Sequence, residues 1–169
     1  STRIGETTYD PGFLERYHCD YSAIGLCGGT YDGQRCTKEI FDEVRRDNPG
    51  CITVCYVMQD RDVDMAFRHP NVMLGSDGIM NYGQGPPRAA GSFLRLLAKF
   101  VRPGKLSLYD AIDRMTAMPA RKLGLAGKGR LNVGADADVV VFTLEEAEDL
   151  ATFQNPTLPG RGIDYVWIG

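Results

Sequence analysis

Residues 72–78 read Val-Met-Leu-Gly-Ser-Asp-Gly, and this stretch decides how the rest of the chain is interpreted. A short apolar run ends in Gly-Ser and then presents one carboxylate, Asp77, next to a glycine. Such runs are typical of buried strands, and α/β barrels carry their catalytic side chains where strands end. The pattern therefore predicts a strand that ends at Asp77 and makes Asp77 a candidate catalytic acid. A turn or N-cap aspartate is the alternative, because Asp-Gly also marks ordinary turns.

Helices and strands are predicted on both sides of this stretch. Thr37 offers an N-cap for a helix that the run Asn-Pro-Gly at 48–50 stops. The apolar spacing also predicts the following elements: a strand near 23–26, a strand over 52–57, helices over 60–68, 92–101, 108–115 and 118–123, and strands over 130–133, 139–142 and 165–168.

This order of elements predicts an α/β fold with a change of character after residue 126. Helices that alternate with strands suit the last units of an α/β barrel, and the later strands suit a small β domain. We expect residues 1–126 to form part of the barrel and residues 127–169 to form part of a β-sandwich or β-barrel domain. The few strands predicted before residue 126 cannot close a barrel. The chain is therefore expected to be a fragment of a larger enzyme or a protein that completes itself by association.

Composition narrows the classes of function. The net charge of −3 over 169 residues argues against a broad basic surface for nucleic acid. No apolar stretch has the length that spans a bilayer, and residues 1–6 lack the apolar core of a signal peptide. The five cysteines match neither a zinc pattern nor a disulfide scaffold, so reduced thiols in a cytoplasmic protein are expected. A single cysteine acting as a metal ligand is the alternative.

Five segments in order resemble the D-aminoacylase (N-acyl-D-amino-acid deacylase) family of the metal-dependent amidohydrolases. They are residues 68–78, the Pro-Arg loop at 85–91, residues 108–124, the run Gly-Ala-Asp-Ala-Asp at 134–138 and the tail 155–169. The resemblance covers most of the chain, from about residue 31 to the end. It implies a TIM-type barrel with a small β domain, so the predicted fold class is the C-terminal fragment of a TIM-type barrel followed by strands of a small β domain.

The resemblance also implies a reaction and the residues that perform it. The reaction is hydrolysis of the amide bond of N-acyl-D-amino acids, in which zinc lowers the pKa of a bound water. The residue that matches Asp77 would take the proton of the attacking water and return it to the leaving amine, and it is also a candidate zinc ligand. The residue that matches Arg88 would pair with the substrate carboxylate. Gly83, Gly85 and Gly91 would let the loop backbone approach a ligand.

Two departures from the family pattern bear on this interpretation. The family has histidine before the Pro-Arg pair, where this chain has Pro86, which could alter the hydrogen bonding of the loop. The family's metal-binding histidines lie on earlier strands, whereas this chain has only His18 and His69. His69 stands at the predicted end of a helix and is interpreted as a capping or packing residue. The isolated chain is therefore expected to be inactive by itself.

Two other functions fit the same residues. A non-catalytic remnant or assembly module would use exposed strand edges to associate, for example as a homo-oligomer. A hydantoinase- or dihydroorotase-like enzyme shares the fold and the run at 134–138, but would hydrolyse cyclic rather than linear amides. Asp136 and Asp138 in that run are expected to shape a turn rather than to hold a metal.

Overall fold

A computed structural model describes residues 2–10, 12–80 and 85–169 of the chain. The chain divides into two compact units, Ser1–Asp60 and Arg61–Gly169. The strands are β1 (Thr2–Arg3), β2 (Ile24–Cys27), β3 (Ile52–Cys55), β4 (Val139–Phe142) and β5 (Ile163–Trp167). The helices are α1 (Phe13–Arg16), α2 (Lys38–Asp47), α3 (Asp60–Arg68), α4 (Arg88–Leu96), α5 (Leu108–Met115) and α6 (Ala117–Leu123), with short 3₁₀ turns at Thr7–Tyr9, Tyr21–Ala23 and Leu144–Glu146 and a π turn at Leu97–Val101.

The first unit packs helix α2 and an aromatic cluster against a three-stranded antiparallel sheet. The strand order is β1-β3-β2, and Leu26 lies opposite Thr53 in the register. The apolar face of α2 buries Phe41 and Val44. The Phe41 ring contacts Tyr9 edge-on, with centroids 5.6 Å apart. The Tyr9 hydroxyl lies 2.7 Å from the Thr53 hydroxyl, so the buried polar groups of this core satisfy each other.

The second unit is built around the helical run from α4 to α6. Its core buries Leu94, Leu96 and Leu97 together with residues of the π turn and α5. Phe67 of α3 joins this core, and its ring centroid lies 4.5 Å from that of Phe100. The left-handed Gly124 (φ 70°) ends α6, as the conformation of a helix C-terminus requires.

Strands β4 and β5 form a separate two-stranded antiparallel sheet within the second unit. Every side chain of β5 is exposed, including Tyr165, Val166 and Trp167. The rings of Tyr165 and Trp167 stack with centroids 5.2 Å apart. This sheet therefore presents apolar side chains to solvent.

The structure confirms most of the predicted elements and contradicts two of them. The predicted helices are present, and the N-cap predicted at Thr37 is confirmed. Ser107 accepts the corresponding N-cap hydrogen bond of α5, and α3 ends before His69-Pro70. The predicted strand over 72–77 is wrong, because no strand among the described residues pairs with it. The predicted strand over 130–133 is also wrong, because turns at Gly129 and Gly134 occupy this region and leave Val133 exposed.

The predicted barrel rests on parallel strands, and the described residues contain only antiparallel pairs. Mixed helix and strand content agrees with the predicted α/β class, while the barrel and the boundary at residue 126 stay predictions. In the described ranges, no helix combines the length and apolar character that crossing a membrane requires.

The first prediction concerns the cap of α2. Thr37 accepts a hydrogen bond from the backbone N–H of Ile40 at 3.3 Å. Thr37→Ala should lower the free energy of unfolding by about 1 kcal/mol, because one helix N–H loses its partner. Thr37→Ser keeps the acceptor and should stay within about 0.5 kcal/mol of the parent. Urea unfolding of the three proteins measures this difference, and equal midpoints for all three would contradict the assigned cap.

Candidate functional site

Asp77 stands in a turn with an unusual backbone conformation. Its φ of 44° lies in the left-handed region, which aspartate tolerates better than most residues. The Ser76 hydroxyl accepts a hydrogen bond from the backbone N–H of Gly78 at 3.4 Å, across Asp77. The Asp77 side chain is 88% exposed. The carboxylate is therefore held out at the surface, where it is accessible to a ligand.

Arg88 contacts Asp77 at two points. Its Nε donates to the Asp77 backbone carbonyl at 3.0 Å, and its Nη2 donates to Asp77 Oδ2 at 2.9 Å. Arg88 is the first residue of α4, and its side chain is 40% exposed. The structure thus brings together the two site residues that the sequence predicted, although they stand eleven positions apart and the strand expected before Asp77 is absent.

The segments that carry Asp77 and Arg88 pack closely against each other. Gly78 lies so near α4 that an added Cβ would meet the Cα and Cβ atoms of Ala89. On the other side of the loop, a Cβ on Gly85 would meet the carbonyl of Ile79 and, at 2.7 Å, the Met80 sulfur. Glycine is therefore required at both positions by contact with the chain itself.

Arg114 supports the segment that leads to Asp77, and the sequence interpretation missed it. The residue is 7% exposed, and its Nη1 donates to the carbonyl of Phe67. Its own carbonyl accepts a hydrogen bond from the N–H of Leu74 at 3.2 Å. Arg114 is therefore hydrogen-bonded to the chain at Phe67 and at Leu74, before and after the turn that precedes the segment to Asp77. The position could have been found from its place three residues after the buried Ala111, on the same helical face.

Of the loop residues, Gly91 differs from the family-based expectation. Gly91, expected in a loop near a ligand, is a buried residue of α4 packed against the Asp149 carboxylate. Pro86 is buried, and its carbonyl accepts a hydrogen bond from the Ala89 N–H at 3.0 Å. Gly83 lies outside the described residues.

The described residues do not assemble a metal site by themselves. No three histidine, cysteine, aspartate or glutamate side chains come together in the described ranges 2–10, 12–80 and 85–169. His69 follows the end of α3, and its Nδ1 accepts a hydrogen bond from the Asn71 N–H at 3.2 Å, which is a local turn contact. The residues present therefore do not fit a complete zinc site, and Asp77 is the candidate ligand that the resemblance assigns to them.

The cysteines offer poor metal ligands in their present environment. All five are free thiols in the first unit. Burial raises the pKa of the Cys36 thiol to about 11 and also raises the pKa of Cys27, Cys51 and Cys55. A metal binds the thiolate, so burial opposes coordination by these four residues.

Asp136 and Asp138 form a local ion-pair cluster with Lys128. The Lys128 Nζ lies 3.1 Å from Asp136 Oδ2 and 2.6 Å from Asp138 Oδ2. Asp138 Oδ1 also accepts a hydrogen bond from the Gly169 N–H at 3.1 Å. The hydrogen bond from Lys128, followed by that from Gly169, lowers the pKa of Asp138 below its usual value. These contacts join a turn to the start and end of the β4–β5 sheet, in agreement with the expected structural role.

Comparison with known proteins places this geometry in context. A family model described as the amidohydrolase family matches residues 62–169. The N-acyl-D-glutamate deacylase of Alcaligenes xylosoxydans xylosoxydans is 45% identical over 116 residues, which are 68% of this chain and 24% of that protein. The D-aminoacylase of the same organism is 36% identical over an equal share. The chain therefore spans about a quarter of the length of these curated relatives.

A solved structure shows the same similarity in three dimensions. The N-acyl-D-glutamate deacylase from Bordetella bronchiseptica, complexed with zinc and a phosphonate mimic of the tetrahedral intermediate, matches with a TM-score of 0.78. The match has 35% sequence identity and covers 91% of this chain and 35% of that one.

The second prediction tests the packing that holds Asp77 near α4. Gly78→Ala would drive a Cβ into the backbone of Ala89, so it should lower the free energy of unfolding by about 1–3 kcal/mol. Gly75→Ala is the matched control, because a Cβ at Gly75 meets nothing within 4 Å. This control should stay within about 0.5 kcal/mol of the parent in urea unfolding. An equal effect of the two substitutions would contradict the close approach of Gly78 to α4.

Proposed function

Because the chain belongs to the amidohydrolase family, we propose that it is part of a zinc-dependent enzyme that hydrolyses the amide bond of N-acyl-D-amino acids. In this proposal Asp77 is the catalytic acid and base, and Arg88 binds the substrate carboxylate. The observation that carries the proposal is the 2.9 Å contact between an exposed carboxylate and a partly exposed guanidinium at one surface. The names of the similar proteins supply the substrate class.

The chemistry assigned to Asp77 is proton transfer. A water adds to the amide carbonyl carbon while its proton passes to an Asp77 carboxylate oxygen. The C–N bond then breaks, and the same proton passes to the leaving nitrogen, so that a carboxylic acid and a D-amino acid are formed. Exposure of the Asp77 side chain permits both transfers, since the base must come within hydrogen-bonding reach of the water and of the nitrogen.

Arg88 is proposed to orient the substrate. A guanidinium binds a carboxylate with two parallel hydrogen bonds, which fixes direction as well as distance. Because Arg88 already contacts Asp77, a substrate carboxylate bound to Arg88 would stand close to the acid and base. The scissile amide lies one carbon from that carboxylate in an N-acyl amino acid, so binding at Arg88 brings the amide towards Asp77.

Zinc is proposed as the cofactor from the resemblance and from the zinc complex of the similar deacylase. The described residues supply at most Asp77 as a ligand, so the remaining ligands would come from other parts of the enzyme. We propose that the enzyme as a whole is a TIM-type barrel with a small β domain, to which residues 1–126 and 127–169 contribute. A cytoplasmic location is proposed from the five unpaired thiols.

The third prediction tests Asp77 in the full polypeptide encoded in the native source. Asp77→Asn keeps the size and an oxygen acceptor for Arg88, but it cannot take a proton. Turnover of N-acetyl-D-glutamate should therefore fall by about 100-fold or more. Asp136→Asn is the control, since Asp136 contacts Lys128 in a structural cluster, and its turnover should stay within about twofold.

Steady-state rates at saturating substrate, with far-UV circular dichroism as the check on folding, measure both variants. Turnover of the Asp77→Asn variant equal to the parent would overturn the role of Asp77. Activity of the parent on hydantoins or dihydroorotate, with none on linear N-acyl amino acids, would replace the proposed substrate class by cyclic amides.

A second candidate function is supported by the exposed apolar sheet. Tyr165, Val166 and Trp167 are each more than half exposed, and contiguous apolar surface marks association sites. A non-catalytic assembly module would use this sheet to associate. The fourth prediction of this alternative is a stable oligomer of the encoded polypeptide, seen by sedimentation, that neither binds zinc nor hydrolyses N-acyl amino acids. A zinc-containing polypeptide with deacylase activity would exclude it.

A further inference from the structure

We propose that Arg88 uses two separate edges of its guanidinium, one to position Asp77 and one to bind the substrate carboxylate, so that it is a positioning residue as well as an anchor. This inference rests on the proposed function and deepens the role of Arg88 at the same site. It distinguishes Arg88 from a simple anchor, which would contact the substrate alone.

The first edge of the guanidinium is already engaged. Nε and Nη2 donate to two different atoms of Asp77, the backbone carbonyl oxygen and Oδ2. Contact with the backbone and the side chain of one residue fixes both the turn and the direction of the carboxylate. The left-handed φ of Asp77 increases the need for such support, because this conformation costs free energy in residues other than glycine.

The second edge is open to a ligand. A guanidinium carries five N–H donors, of which Asp77 uses two. Two of the remaining three lie along the edge formed by Nη1 and Nη2, an edge at which a guanidinium can also bind a carboxylate with two hydrogen bonds. Within the described residues, no acceptor contacts Nη1, and the side chain is 40% exposed. A substrate carboxylate can therefore bind Arg88 while Arg88 keeps its contact with Asp77.

The start of α4, where Arg88 stands, is closely packed. Arg88 begins α4, and its carbonyl accepts a hydrogen bond from the Ser92 hydroxyl at 2.7 Å. The adjacent Ala89 packs against Gly78, so no side chain separates the helix start from the turn at Asp77. The position of Asp77 is thus set by α4 through Arg88, and the bound carboxylate is placed in the same frame.

The two roles predict different kinetics, and Arg88→Lys separates them. Lysine keeps the charge but lacks the planar fork, whose two edges can bind Asp77 and a carboxylate separately. An anchor alone would raise KM and leave kcat unchanged. A positioning residue would also lower kcat, because a misplaced base can cost about 100-fold. We expect Arg88→Lys, in the full encoded polypeptide, to raise KM for N-acetyl-D-glutamate and to lower kcat by about 10- to 100-fold.

A substrate without the α-carboxylate gives the sharper measurement. With N-acetyl-D-glutamate α-amide, an anchor has nothing to bind, so Arg88→Lys should leave kcat/KM unchanged if anchoring were its whole role. The proposal expects a loss of about tenfold or more with this substrate as well. Arg95→Lys is the matched control in the same helix, since Arg95 pairs with Asp149 at 3.8 Å, and it should change neither substrate by more than about twofold.

An NMR measurement tests the positioning of Asp77 by Arg88 independently of enzyme activity. Backbone NMR shifts of residues 76–78 should change in Arg88→Lys and not in Arg95→Lys. If the parent hydrolyses neither substrate, the proposed function fails, and shifted resonances would still support the positioning of Asp77 by Arg88. Unchanged resonances, or an unchanged kcat/KM on the amide in an active enzyme, would overturn the inference.

Discussion

The contact between Arg88 and Asp77 is the interaction on which the geometry of the candidate site depends. It joins a turn with left-handed backbone geometry to the first residue of a helix, and it pairs the two side chains that the proposed reaction needs. Exposed ion pairs contribute little to stability, typically about 0–1 kcal/mol. The pair therefore contributes to the geometry of the site rather than to stability, because two hydrogen bonds to one residue restrict where the carboxylate can point.

The surroundings of this pair explain why it can hold its geometry. Arg114 is buried under the segment that leads to Asp77 and contacts it at Phe67 and Leu74. Gly78 brings the turn against α4 with no side chain between them. The core of Leu94, Leu96 and Leu97 then anchors α4 itself. The Asp77 carboxylate is thus exposed while its backbone is constrained, which suits the proton transfer proposed for it.

Local signals made much of the fold predictable, and long-range pairing did not follow from them. Thr37, Ser107 and Gly124 mark helix ends because each satisfies backbone groups of its own neighbourhood. The stretch 72–77 carries an apolar run like that of a strand, but a strand also needs a partner strand. In the described part of the chain, the backbone N–H of Leu74 instead donates to the carbonyl of Arg114 in a helix. The π turn at Leu97–Val101 and the burial of Arg114 likewise arise from packing that no single segment encodes.

A crystal structure with a bound ligand would show directly whether Asp77 and Arg88 act together on one substrate. The full encoded polypeptide would be crystallised with a phosphonate analogue of an N-acyl-D-amino acid, which imitates the tetrahedral intermediate. We expect an Asp77 oxygen within about 2.6–3.2 Å of a phosphonate oxygen, and Arg88 in contact with both the ligand carboxylate and the Asp77 carbonyl. A ligand bound beyond hydrogen-bonding reach of Asp77, with its carboxylate on another cation, would contradict this expectation.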